Sequence, residues 1–269
     1  MKKNKKIFII IILIIILILL NLFFKQKKYK LIKNANAVEI SNKKIGWGIL
    51  RNDNHDQPDF GAKNKKVLEE NQGITVGNKE EKRIYLTFDE GYEAGYTPEI
   101  LKVLKEKNVK ATFFITAHYL NTQSELVENM IKENHIIGNH TVNHKSMPEL
   151  SEEEIKKEVM TLHQTITDKF NYEMKYIRPP KGEFSERTLK ITNNLGYKNV
   201  MWSFAYKDWE EKKQPSEEYS INMITKNFHP GEIMLLHGNS RTNTKILPII
   251  IDEARKQGYE FYSLDEFKK

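Results

Sequence analysis

From Arg83 to the C-terminus, short runs rich in β-branched and aromatic residues alternate seven times with helical patterns, and nothing else in the 269 residues limits the fold so strongly. The strand-like runs are Arg83–Thr87, Ala111–Thr116, Ile136–Asn139, Lys175–Arg178, Asn199–Trp202, Glu232–His237 and Tyr259–Ser263. Between them the helix signals are explicit. Thr97-Pro98-Glu99 sets a cap and a first-turn proline ahead of Ile100, Leu101, Val103 and Leu104. Ser151 with Glu154 makes a capping box before Ile155, Val159, Leu162 and Ile166, which share one helical face. Ser185 opens a helix that Gly196 closes, and Gly258 closes the one carrying Ile246, Leu247, Ile250 and Ala254. Strand, helix, strand repeated in this way means parallel strands joined by right-handed crossovers. Seven units of roughly 25–30 residues predict an α/β fold, a distorted (β/α)7 barrel short of the usual eight units. An open doubly wound sheet is the alternative.

The residues before Arg83 differ in kind. Ile7 to Phe24 is an apolar run broken only by Asn21, close to the shortest helix that crosses a bilayer. Ala35-Asn36-Ala37 resembles a small-residue cleavage site, but a lysine-rich segment separates it from the apolar run, which is longer than the roughly 7–15 residues of a signal core. Residues 1–33 are therefore expected to be an uncleaved anchor, crossing the membrane through residues 7–24, with a signal sequence as the alternative. The body of the chain is expected on the extracytoplasmic side. Lysines flank the run on both sides, so the positive-inside rule adds little. Residues 34–82, rich in Asn, Lys, Asp and Gln, read as a linker, and residues 83–269 as the folded domain. Within the linker, Ile45-Gly46-Trp47-Gly48-Ile49 is apolar, and Trp47 is expected to dock on the domain rather than stack on a sugar.

The net charge of +7 does not point to nucleic acid. Nine lysines and no acid lie in the first 37 residues; removing them from the 43 basic residues leaves 34 against 36 acidic ones. The body is slightly acidic, which argues against a nucleic-acid partner. The absence of cysteine excludes disulfides and thiolate zinc sites.

Chemistry-bearing residues stand at the carboxyl ends of the predicted strands, where parallel α/β folds assemble their sites. Asp89 and Glu90 follow the first, and His140-Thr141-Val142-Asn143-His144 the third. Arg178-Pro179-Pro180-Lys181-Gly182 follows the fourth, Asp208-Trp209 the fifth, and Leu235-Leu236-His237-Gly238 ends the sixth. Each alone has an ordinary explanation: two acids before a glycine make a solvated turn, and paired surface histidines are common. Five such groups in order at one end of the strands are hard to obtain by chance. His140 and His144 are four apart, so a helical turn would aim both imidazoles at one divalent ion, and a carboxylate from the first strand would complete a set with open positions. Thr141 stands where the glutamate of an HExxH helix would be. His55, His118, His135, His163 and His229 lack such company and are read as structural.

TFDEG, HTVNH, RPPKG, Asp208-Trp209 and LLHG, in that order, resemble the five motifs of the polysaccharide deacetylases, the NodB-homology carbohydrate esterases of family 4, from about Arg83 to Phe267. The longer stretches TFDEGYEAGYTPEIL, HIIGNHTVNH and YIRPPKGEFSERTL, with the upstream GWG, resemble the sporulation peptidoglycan N-acetylmuramic acid deacetylases that make muramic δ-lactam in spore cortex. The resemblance implies the NodB-type barrel and one divalent metal ion, zinc first among several candidates. It implies Asp89 as general base, His237 as general acid, and Arg178 and Asp208 as the residues that orient them. His140 and His144 would be metal ligands. Trp209 and Leu235 would line the acetyl pocket, and the Lys181 backbone N–H would help hold the oxyanion. The implied partner is a peptidoglycan strand stripped of stem peptide by an amidase. Glu90 departs from the family's usual aspartate, so it is a ligand, a ligand through water, or none. N-acetylglucosamine polymers are the alternative substrate, and an inactive glycan-binding scaffold the alternative of another class.

Overall fold

The structure, a computed structural model, describes residues 17–27, 40–52 and 54–269. It divides into two units, residues 1–40 and Ser41–Lys269. In the first, residues 17–27 are helical, whereas residues 7–16 of the expected anchor and the Ala35-Asn36-Ala37 segment lie outside the described residues. Among the described residues no helix is long and apolar enough to cross a membrane.

The second unit carries the strands β1 (Ile45–Gly46), β2 (Arg83–Glu90), β3 (Thr112–Ile115), β4 (Ile136–Asn139), β5 (Tyr176–Ile177), β6 (Glu183–Phe184), β7 (Lys198–Asn199), β8 (Glu232–His237) and β9 (Glu260–Phe261). Its helices are α1 (Ala62–Glu70), α2 (Thr97–Glu106), α3 (Ala117–Thr122), α4 (Ser124–Lys132), α5 (Glu152–Phe170), α6 (Glu186–Asn194), α7 (Glu217–Thr225) and α8 (Arg241–Lys256). All seven expected strands join one parallel sheet in the order β7-β5-β4-β3-β2-β8, with β9 against the first residues of β2. The result is an α/β half-barrel rather than a regular seven-stranded ring. β5, β7 and β9 are two residues long, too short for continuous ladders, and the margins meet only where Phe204 bridges Met234 of β8.

Strand alternation sorts the residues of β2. Tyr85 packs in the barrel interior with Phe114, Ile136, Tyr176, Val200 and Ile233. Ile84, Leu86 and Phe88 point the other way, into the larger core between sheet and helices.

The helix ends follow the sequence with one exception. Ser151 and Glu154 form the capping box of α5, Ser185 and Thr188 that of α6, and Gly196 and Gly258 take positive φ of 90° and 83° after α6 and α8. Thr97 does not cap α2; Glu93 reaches from upstream to accept N–H bonds from Tyr96 at 2.7 Å and Thr97 at 3.2 Å. A carboxylate at that end also complements the helix dipole.

The segment read as linker packs with the unit that begins at Ser41. α1 lies within it, buries Leu68, and so carries no hydrophobic period for a sequence to display. Trp47 docks as expected, stacked on Phe60 at 5.2 Å and donating its indole N–H to the Trp202 carbonyl at 2.9 Å. β1 pairs antiparallel with β6 beside it, a small sheet the alternation did not announce.

Register places four residues in one interior row across the sheet: Gly138, Phe114, Asp89 and His237. Gly138 is required there, because a Cβ would overlap the Phe114 ring. Gly138→Ala is expected to cost about 1–3 kcal/mol by overpacking. Thermal unfolding should show a midpoint lower by several degrees and reduced activity in the surviving fold, since Phe114 supports the site described next.

Candidate active site

Asp89 ends β2 on its interior face, and Thr87 precedes it in the same row. The Arg178 guanidinium lies across that row, donating from Nη1 to Asp89 Oδ1 at 2.7 Å, from Nη2 to Thr87 Oγ1 at 2.9 Å and from Nε to the Val200 carbonyl at 3.2 Å. Arg178 is fully buried, with the Phe114 ring 4.2 Å beneath its plane. Burial alone would raise the Asp89 carboxyl, but Arg178, and then His140 and His237, hold it below the usual carboxylate range. Asp89 is therefore a buried anion at neutral pH with one oxygen free to face the site.

His140 follows β4, and its Nδ1 donates to the Arg178 carbonyl at 2.9 Å, an acceptor that fixes the proton on Nδ1 and the lone pair on Nε2. That Nε2 faces His144 Nε2 at 3.1 Å and Asp89 Oδ2 at 3.5 Å. Burial lowers the proton affinity of both imidazoles, that of His144 to about 4 with help from His140 and Lys181. The two imidazoles thus turn basic nitrogens toward each other, with Asp89 beside His140, and His140 has the carbonyl partner typical of a metal-bound imidazole. This donor set fits a divalent ion, with His140 and His144 as its protein nitrogens.

Glu90 does not join them. It shares the outward face of Phe88 and Leu86, is fully buried, and neither carboxylate oxygen has a hydrogen-bond partner. Burial, with Glu93 and Asp89 nearby, pushes its carboxyl well above the usual range. A Cβ on Gly238 would overlap this carboxylate, so the glycine of LLHG makes room for it. Among the described residues no group of three or more His, Asp or Glu side chains stands at metal-ligating spacing.

On the other side of Asp89, His237 Nδ1 donates to Asp208 Oδ1 at 2.7 Å, and its backbone N–H donates to Asp208 Oδ2 at 2.9 Å. Burial opposes charge on this imidazole, but the Asp208 carboxylate outweighs it and raises the His237 pKa above its ordinary value. Asp208 is fixed in turn by Asn243 Nδ2 at 2.6 Å. Leu235 lies two residues before His237 on the same interior face, and Trp209 is 48% exposed with its ring 5.5 Å from the His237 ring. Lys181 occupies a tight turn after β5 at φ 59°, its side chain exposed at the rim.

Sequence reasoning did not find Thr87, Phe114, Glu158 or Asn243. The β2 alternation could have given Thr87. Glu158 lies on the buried face of α5 and accepts from Asn143 N and Nδ2, both at 2.7 Å, which pins the loop between the two histidines. Only a tertiary contact reveals that.

A parallel half-barrel with a buried Arg-Asp pair, two converging imidazoles and an Asp-His pair defines a carbohydrate deacetylase site. The chain belongs to the polysaccharide deacetylase family, whose model matches residues 76–200. It is 42% identical over 86% of its length, and 89% of the relative's, to the peptidoglycan-N-acetylmuramic acid deacetylase PdaA of Bacillus subtilis. The solved structure of PdaA, a family 4 carbohydrate esterase, superposes with a TM-score of 0.82 at 41% identity, covering 85% of this chain and 98% of that one. A peptidoglycan-N-acetylglucosamine deacetylase of Bacillus cereus is 35% identical over 75% of this chain and 96% of its own. Family members are metal-dependent hydrolases of the amide bond.

Asp208→Asn removes the charge that raises His237. The imidazolium then loses its partner and its pKa falls, so NMR titration of the metal-free protein should show His237 deprotonating at lower pH than in the wild type. An unchanged midpoint would mean that Asp208 does not set it.

Proposed function

We propose that this protein removes the acetyl group from N-acetylmuramic acid in peptidoglycan, on strands stripped of stem peptide, in the route to muramic δ-lactam in spore cortex. The observation that carries the reading is the opposed proton preference of the two pairs around one cleft: Arg178 lowers the Asp89 carboxyl and Asp208 raises the His237 imidazole. Similarity to the muramic acid deacetylase over most of both chains supports the choice of sugar.

An amide is a weak electrophile with a poor leaving group, so its hydrolysis needs a base for water, charge stabilisation at oxygen and a proton for nitrogen. Asp89 Oδ2 takes the proton from the attacking water, and Arg178 keeps that carboxylate anionic and immobile. His237 gives its proton to the departing amine, and Asp208 holds the imidazole in the tautomer and orientation that allow it. Leu235 and Trp209 form the apolar wall for the acetyl methyl, and the Lys181 backbone N–H faces the oxyanion. A divalent ion on His140 and His144, zinc in the first instance, would polarise the carbonyl and lower the pKa of water from 15.7 toward roughly 7. The set Asp89, His140, His144, Arg178, Asp208 and His237 is complete, which speaks against an inactive scaffold.

The apolar run Ile7–Phe24 between basic flanks supports a membrane anchor that leaves Ser41–Lys269 in the cell envelope.

Full-length protein incubated with peptide-stripped glycan, with intact peptidoglycan and with N-acetylglucosamine oligomers should release acetate from the first alone, and a chelator should stop it. Acetate from N-acetylglucosamine instead would favour the second substrate, in line with the 35% identical relative. Asp89→Asn should lower kcat by about 100-fold or more while bound metal, measured by elemental analysis, is retained. Loss of the metal would reassign Asp89 from base to ligand.

A further inference from the structure

The turn Pro180–Gly182 follows Arg178 by two residues, and Arg178 holds both Asp89 and, through its carbonyl, His140. Lys181 is therefore delivered to the rim of the cleft on the imidazole side. Its backbone is fixed from below. Trp47 N–H donates to the Gly182 carbonyl at 2.8 Å, and a Cβ on Gly182 would run into the Trp202 and Trp47 side chains. The upstream GWG segment thus acts as the clamp of this turn, a role that its sequence alone does not disclose. Gly182 itself has φ 66°, so the turn needs two consecutive left-handed residues, and the non-glycine one is the lysine.

The Lys181 ammonium has no committed partner. The nearest acid in sequence, Glu183, is 3.5 Å from Lys44 instead. Among the described residues no carboxylate lies within 4.0 Å of Lys181, whereas the Arg178 guanidinium is buried and engaged by Asp89. The Arg178 carbonyl that receives His140 Nδ1 lies three residues before Lys181, so the lysine turn is on the imidazole side of the cleft. An exposed cation with no carboxylate within 4.0 Å among the described residues thus stands at the imidazole-side rim of the cleft, on a backbone held by Trp47 and with a flexible arm.

We propose that the Lys181 side chain selects a sugar whose carbon next to the N-acetyl-bearing one carries an ether ending in a free carboxylate, the lactyl group of a peptide-free muramic residue. The proposal rests on the muramic reading above. The acetamido nitrogen is on C2 and the lactyl ether on C3, so a carbonyl placed at the imidazoles puts the lactyl group within the length of a lysine side chain. When the stem peptide is attached, that lactyl carboxyl is a neutral amide, and in N-acetylglucosamine C3 carries only a hydroxyl. Neither offers a charge partner. One cation at the rim therefore distinguishes the peptide-stripped strand from both other components of peptidoglycan.

The test uses full-length protein and peptide-stripped strands in two forms, lactyl groups as free acids or converted to methyl amides. The wild type should favour the acid by about tenfold in kcat/KM, mainly through KM, an advantage that shrinks as salt rises. K181M should bring acid and amide to within about twofold of each other, K181R should keep the preference, and matched melting curves would show both variants folded. If wild type hydrolyses acid and amide equally, or K181M discriminates as wild type does, the selection by Lys181 is wrong while the muramic reading stands. If no muramic strand yields acetate, both fall together.

Discussion

The buried Arg178 guanidinium organises everything at the mouth of the half-barrel. A cation without solvent contact is tolerable only when each of its faces is satisfied, and removal of one partner of such a pair costs about 3–5 kcal/mol. Here Asp89, Thr87 and the Val200 carbonyl take its donors, and Phe114 supports its plane. Three of these partners come from three different strands or their extensions, so the guanidinium can settle only once the sheet has formed. Its own carbonyl then orients His140. One residue fixes the base and the first imidazole together, which explains why the arginine must be buried rather than merely near.

The cleft gains its chemistry from asymmetry around Asp89. On one side lie the guanidinium paired with Asp89 and two imidazoles whose proton affinity burial lowers; on the other lies an imidazole whose proton affinity a buried carboxylate raises. Titratable groups pushed apart in this way divide the acid and base roles at one pH. β2 and β8 run in register with Asp89 opposite His237, so neighbouring strands alone set the spacing between proton acceptor and proton donor.

Much of this could be read before any coordinates. The alternation of strand and helix predicted all seven strands of the parallel sheet, and of the motif residues at their ends Asp89, His140, His144, Arg178, Asp208 and His237 lie around one cleft while Glu90 does not. What the alternation could not show is how the ring closes, because β5, β7 and β9 have too few residues to carry a register signal. Nor could it show α1, which buries one residue along nine. Glu90 is more instructive. Its parity was visible: Ile84, Leu86, Phe88 and Glu90 alternate with Tyr85, Thr87 and Asp89, so the two acids had to face opposite sides unless the strand ended between them. The strand continues through Glu90, pairing it with Ile115. Adjacency in sequence suggested one site; the pleat separates them.

The imidazoles are placed by backbone rather than by a helix. Thr141 and His144 take φ of 68° and 54°, and Lys181 on the facing turn takes 59°. Left-handed non-glycine residues cost on the order of 1–3 kcal/mol each and persist only where their surroundings over-determine them. The surroundings do so: Asn139 Oδ1 accepts from Thr141 N at 2.8 Å, Thr141 Oγ1 from His144 N at 3.1 Å, and Glu158 holds Val142 through its carbonyl and Asn143 through its carboxylate. The spacing of four therefore does not mean one helical turn here, although it brings the two Nε2 atoms together as a helix would. A tight left-handed loop reaches the same convergence while leaving the backbone no freedom to relax. Any residue that loosens the loop, including Glu158 on a helix behind it, must then act on both histidines at once.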